Sequence, residues 1–318
     1  TGADDPSAMH VSHCAAGSKQ MWAEEWGGFP PEEFFEEIDP ILLPIVRNIS
    51  KTNHTCDRTA GRIAPEWAAR FGLPADVVVG VGNIDAHAGA VGAGIGCGTV
   101  VLNLGTSACY MARMPSEEMN GRLVEGIFGQ VDDSIVPGMV GFEAGLSAFG
   151  DVYAWFKELL CWPLKEVLAR SELLDAQTRQ RLVAECSERI LGRLTQEAER
   201  LVIREDSPLA TDWLNGRRNP YPAPGLAGTV TGLRLSTTAP EIYYAFAEAT
   251  AFATKAILDH LAANGVVIEK LTGIGGISQK SPFVMQLLAD VTGRKISVID
   301  CKQACAMGSV VYASIIAG

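Results

Sequence analysis

The chain has 318 residues, 47% of them hydrophobic and 20% charged, and carries a net charge of −11. This composition describes a globular chain long enough for one large domain or two ordinary ones. The acidic balance argues against nucleic acid, whose phosphate backbone demands a basic face. No stretch reaches the roughly 18 uninterrupted apolar residues that span a bilayer and no basic-then-apolar leader opens the chain, so a cytoplasmic protein without a membrane partner is expected.

The sequence opens on "TGADD" without Met and stops at "VVYASIIAG", directly after an apolar helical run, so a piece of a longer protein is expected. Pro30-Pro31 predicts a short helix with acids in its first turn, where the helix dipole favours them. "APEWAARFGLP" reads as a helix closed by Gly72 and Pro74. "DVVVGVGN" is a short apolar strand, and "TVVLNLGTSACYMAR" (99–113) two strands joined at Gly105-Thr106-Ser107. A helix is expected through "FGDVYAWFKELL", and residues 163–203 have helical period and many charges, which predicts a pair of solvated surface helices. "STTAPEIYYAFAEATAFATKAILDHLAANG" has hydroxyl caps, an early Pro240 and a terminal Gly265, the pattern of a long buried helix. A strand ("VIEKLTGIGG"), a helix closed by Gly293 ("SPFVMQLLADVTG"), a strand ("KISVID") and a last helix follow. Strands alternating with helices indicate an α/β architecture.

Of the eight cysteines only Cys301 and Cys305 are close, with no second pair or nearby histidines, so reduced thiols are expected rather than a disulfide or zinc site. "GVGNID" lacks the third glycine of a dinucleotide fingerprint, and no G-x-x-x-x-G-K-[ST] occurs. Three other glycine positions remain: Gly105-Thr106-Ser107, Gly145 and Gly150 around a helix start, and Gly275-Gly276 at a strand end. Singly each reads as a turn or packing contact; together they would give a nucleotide a phosphate loop and a bare backbone surface. In "VGNIDAHAGAVGAG" Asp85 is the only acid between Asp76 and Arg113, set among small residues. It either caps a helix or touches a ligand for which the small residues leave room.

The strings "GNIDAHAGAVGAG…VLNLGTSAC", "GQVDDSIVPGMVGFEAGLSAFGDVYAWF", "DWLNGRRNP" and "GGISQKSPFVMQLLADVTGRKI…ACAMGSVVYA", preceded by "HCAAGSKQMWAEEWGGFPPEEFF", resemble the FGGY family of carbohydrate kinases, nearest its L-ribulokinase branch. The resemblance implies a ribonuclease-H-like, actin/hexokinase-type ATPase fold, of which this chain would supply the second half of lobe I (1–92) and most of lobe II (93–318), with a helical insertion at about 163–205. It implies transfer of the γ-phosphoryl group of Mg-ATP to a terminal hydroxyl of a ketopentose, with L-ribulose giving L-ribulose 5-phosphate in L-arabinose catabolism. Asp85 matches the general base and a sugar contact. Lys19 and Glu143 match pentulose-contacting positions. Gly105, Thr106 and Ser107 match a phosphate motif, Gly150 a nucleotide-lining glycine, and Gly275, Gly276 and Lys280 the adenosine side. ATP and Mg²⁺ are the implied cofactors; the ligands of the metal are unknown. A sugar and ATP are the partners, and a homo-oligomer stays open. Trp213, Asn215 and Arg217 belong to the signature string without an assigned role.

Two departures qualify this. Leu146 stands where the branch commonly carries Gln, which would remove a polar contact beside Glu143. The family's first phosphate motif, D-x-G-T, is absent, so the chain alone is expected to be inactive. The alternatives are another FGGY pentulose or polyol kinase (xylulose, D-ribulose) and a catalytically dead sugar- or nucleotide-sensing relative.

Overall fold

The computed structural model describes residues 5–23 and 26–318; the "TGAD" opening and the Glu24-Glu25 pair lie outside the described residues. A six-stranded mixed sheet organises the chain. Its strands are β1 (Thr99–Leu104), β2 (Ala108–Pro115), β3 (Gly129–Asp132), β4 (Met139–Leu146), β5 (Lys270–Ile274) and β6 (Ile296–Val298), in spatial order β6-β5-β1-β2-β4-β3. β1, β2, β4 and β3 pair antiparallel in that order, with β3 at the edge, while β5 and β6 join in parallel on the other side of β1. The β1–β2 hairpin has Leu104 opposite Ala108, leaving Gly105-Thr106-Ser107 as the expected turn.

Side chains of β1 alternate between two cores, as the period of a strand requires. Val100, Leu102 and Leu104 enter the large core, and Val101 joins Met111 and Ile274 in a second core on the opposite face. Seven helices matter here: α1 (His13–Lys19), α2 (Asp85–Gly92), α3 (Gly150–Leu160), α4 (Ala176–Ala198), α5 (Ala239–Ala263), α6 (Pro282–Thr292) and α7 (Ala304–Ala317). Residues of α3, α4, α5 and α6 complete the large core, and Ala90 of α2 and Ala304 of α7 cover the opposite face. Helices on both faces of a mixed sheet confirm the α/β expectation.

Local chemistry explains the ends of these helices. Glu241 reaches back to the Thr238 N–H at 2.7 Å, closing a capping box at the start of α5. Gly293 (φ 65°) ends α6 in the left-handed region, and Gly72 likewise ends the helix Pro65–Phe71. The acid-rich helix Glu32–Ile38 follows Pro31, as expected.

Three expectations fail. Residues 129–146, for which no element was expected, form β3 and β4, and Gly145, expected around a helix start, lies inside β4. The charged segment is one long helix, α4, preceded by the short helix Trp162–Glu166, and not a pair of comparable helices. Its solvated character is as expected: α4 buries only Leu194 and Ala198 and carries the i,i+4 pairs Glu185–Arg189 and Arg193–Glu197. The strand over "DVVVGVGN" shrinks to Val78–Gly80, paired with Thr59–Arg62.

Candidate active site

Asp85 is the first residue of α2, with Ile84 at the N-cap, so the carboxylate is not the cap itself. One of its oxygens accepts the Ala86 N–H at 2.8 Å, and the helix dipole favours an acid there. The side chain is exposed. It lies near the start of α7: burial raises the Cys305 thiol above its ordinary pKa, and the Asp85 charge raises it further.

The small residues after Asp85 correct one expectation. They do not chiefly make room for a ligand; they let two helices touch. A Cβ on Gly92 would stand 2.0 Å from the Ala304 carbonyl oxygen, and one on Gly308 would stand 1.8 Å from that of Ala88. The alanine–glycine face of α2 is thereby consumed in packing against α7.

Two residues beyond Asp85, His87 is buried, and its Nε2 lies 3.0 Å from Glu143 Oε2. Glu143 sits on β4 and is only 4% exposed. Its other oxygen receives Arg218 Nη2 at 3.4 Å and Lys19 Nζ at 3.5 Å. Burial pushes this carboxyl upward, but the His87 hydrogen bond and the charges of His87, Lys19 and Arg218 outweigh it, and the pKa falls below the ordinary carboxylate value. An ionised carboxylate only accepts, so Nε2 of His87 donates. Nδ1, on the other side of the ring, lies 2.9 Å from the Cys14 sulfur. Burial pushes that thiol up to about 12.

Lys19 ends α1, and the helix is held in place by His13, whose ring bonds Asn53 Oδ1 and the Asp132 carbonyl, each at 2.8 Å. Phe128 receives both cations: Lys19 Nζ lies 4.0 Å and Arg218 Cζ 4.1 Å from its centroid. Lys19 keeps 42% of its side chain exposed, so it is the solvent-facing member of the cluster and Glu143 the buried anchor behind it. Leu146 is not beside the Glu143 carboxylate. It is three residues along the same strand, on the opposite face, inside the large core with Ala144. The expected loss of a polar contact there is corrected accordingly. His87, Arg218 and Phe128 were missed as site residues. His87 and Arg218 stood inside the quoted strings, beside residues singled out in their place.

The glycine positions after β1, before α3 and after β5 come together at the carboxyl ends of neighbouring strands, where ligands of open α/β sheets bind. The Phe149 and Asp151 N–H groups donate to the Thr106 carbonyl at 2.8 and 3.1 Å, and that of Gly150 to Gly105 at 3.0 Å. A Cβ on Gly150 would stand 2.6 Å from the Gly105 carbonyl oxygen, and one on Gly275 (φ 91°) 2.6 Å from that of Leu104, so both positions demand glycine. The Gly105 N–H is spent on Ser107 at 3.0 Å. Among the described residues no acceptor takes the N–H of Thr106 or Ser107. The free donors of the turn are therefore these two amides and the exposed Thr106 hydroxyl, not Gly105. Gly276 faces open space, and Lys280, at the end of the helix Gly276–Lys280, is exposed and tied to none of the others. Among the described residues no three His, Cys, Asp or Glu side chains cluster for a metal.

Residues 100–317 match the FGGY family of carbohydrate kinases, C-terminal domain. The chain belongs to the FGGY family of carbohydrate kinases. It is 42% identical over 313 residues to a ribulokinase of Vibrio parahaemolyticus, covering 98% of this chain and 54% of that protein. It is 37% identical over 311 residues to a ribulokinase of Halalkalibacterium halodurans, covering 96% and 51%. The chain thus spans about half the length of these FGGY relatives. Its fold is similar to that of a xylulose kinase from Rhodospirillum rubrum (TM-score 0.68, 22% identity, 88% of this chain and 51% of that one). A xylulose kinase from Bifidobacterium adolescentis gives a TM-score of 0.67 at 15% identity, over 98% and 56%. The actin/hexokinase-type fold expected of an FGGY kinase is the fold observed.

Proposed function

We propose that the protein to which this chain belongs transfers the γ-phosphoryl group of ATP to a terminal hydroxyl of a ketopentose, L-ribulose giving L-ribulose 5-phosphate. Residues 1–92 belong on this reading to the sugar-side lobe and 93–318 to the nucleotide-side lobe. One observation carries the proposal: α2 holds exposed Asp85 two residues from the His87 that clamps Glu143, so proton acceptor and charge cluster share one rigid element.

In this account Lys19, braced by Glu143 and Phe128, donates to sugar hydroxyls. The free oxygen of Asp85 orients the attacking hydroxyl and accepts its proton as the new P–O bond forms and the bond to the β-phosphate bridging oxygen breaks. Little proton transfer is needed early, because the transition state is loose, and an ordinary carboxylate suffices. The Thr106 and Ser107 amides and the Thr106 hydroxyl hold phosphate oxygens, and the open backbone at Gly276 takes the nucleoside. Mg²⁺ neutralises phosphate charge when bound. Among the described residues no group of three His, Cys, Asp or Glu side chains is gathered for it, and no ligand is assigned to it here.

The test is ADP release by the full-length protein with a panel of pentuloses and polyols. L-ribulose is expected to have the highest kcat/KM. A clear preference for xylulose or D-ribulose would overturn the substrate, and no sugar-dependent ADP at all would overturn the activity.

A further inference from the structure

The signature loop "DWLNGRRNP" has a second side that the phosphotransfer account does not use. Asp212 is buried to 7% exposure, and among the described residues no side chain bonds or pairs with its carboxylate. It lines a cavity of about 330 Å³ between residues 209–221 and α5, a volume in the range of small-molecule sites. Small alanines of α5, among them Ala249 and Ala253, open the space. Glu248 and Arg217 add one charge of each sign to the wall, and Trp213, Tyr221 and Phe252 supply aromatic faces. Arg217 has no carboxylate partner among the described residues either; its Nε donates to the Tyr221 carbonyl at 3.1 Å and its guanidinium lies 5.6 Å from the Trp213 centroid.

We propose that this cavity is a second binding site, for a neutral polyhydroxylated molecule of monosaccharide size. The mixed wall selects that class. Asp212 and Glu248 repel an anion, and Arg217 opposes a bare cation. Hydroxyl groups serve both, donating to the carboxylates and accepting from the guanidinium, while a C–H face lies on the aromatic rings. A polar ligand also supplies the donors that a desolvated carboxylate lacks.

The same loop reaches the candidate active site from its other side. Arg218 pairs with Glu143, and Asn219, itself in the cavity wall, accepts the Gly145 N–H at 2.8 Å. Occupancy of the cavity is thus placed to bear on Glu143; this coupling, unlike the binding itself, rests on the proposed kinase reading.

Calorimetric titration of the full-length protein with L-arabinose, D-xylose and L-arabinitol, with glycine and choline as zwitterionic and cationic comparators, tests the site. At least one pentose or pentitol is expected to bind, and to lose about tenfold or more in affinity in Asp212→Asn, while Glu143→Gln keeps most of it. Phe252→Ala alters a residue that is 54% exposed and serves where Asp212→Asn fails to fold. Polyol binding that ignores both substitutions, no polyol binding, or binding of glycine or choline alone overturns the proposal. In the full-length protein, L-arabinitol should shift the KM for the acceptor sugar, and Asp212→Asn should abolish the shift. Binding without a shift overturns the coupling and leaves the kinase reading to its own test.

Discussion

Glu143 and Asp212 are both acids buried to a few per cent exposure, and they behave oppositely. Around Glu143 an imidazole, an ammonium and a guanidinium converge, and the carboxyl stays below its ordinary pKa. Around Asp212 burial dominates, with only its own backbone N–H in opposition, and the carboxyl is pushed up to about 6. Burial alone therefore does not tell what an acid is for. The Glu143 charge is met from within the fold, whereas among the described residues no side chain meets that of Asp212.

Breaking the first member of this pair should cost most. Glu143→Ala leaves three donors around an empty, mostly buried position, and urea unfolding should show a loss of about 3–5 kcal/mol. Asp212→Asn removes a charge that folding disfavours and should be neutral or stabilising at pH 7. A comparable loss at both positions would erase the contrast.

Acid titration sharpens it, because the signs differ. The folded state raises the Asp212 pKa, so it binds protons more tightly than the unfolded chain and this residue's contribution falls as pH rises from about 4 to about 6, by at most about 3 kcal/mol. The stability difference between wild type and Asp212→Asn should grow in favour of Asn across that window. Glu143 has a lowered pKa, so its contribution is present above the ordinary carboxylate range and fades as pH falls through the folded value. Glu143→Gln should consequently flatten the acid limb of the wild-type stability curve. The smallest stability effect belongs to Lys19→Ala. With that side chain 42% exposed and its contact long, unfolding should change by less than about 1 kcal/mol. On the proposed reading, in which Lys19 donates to the sugar, the KM for the ketopentose should nonetheless rise about tenfold or more.

What could be read in advance was what short stretches decide for themselves. Thr238 with Glu241, Gly72, Gly293 and the 105–107 turn carry their own caps and bends, and the structure has them where the residues put them. β3 and β4 were hidden because Gly129, Gly141 and Gly145 interrupt the alternation that marks a strand. The packing of α2 on α7 joins segments some two hundred residues apart, so no local pattern reveals why "DAHAGAVG" must be small. A separation of 75 residues hid Arg218 from Glu143, and the side of β4 taken by Leu146 emerged only with the strand itself.

The central claim is that Asp85 takes the proton of the attacking hydroxyl. Its most direct test is Asp85→Asn in the full-length protein, with kcat and nucleotide affinity measured together. The account predicts that kcat falls about 10²–10⁴-fold while ATP binds as before; unchanged turnover would contradict it.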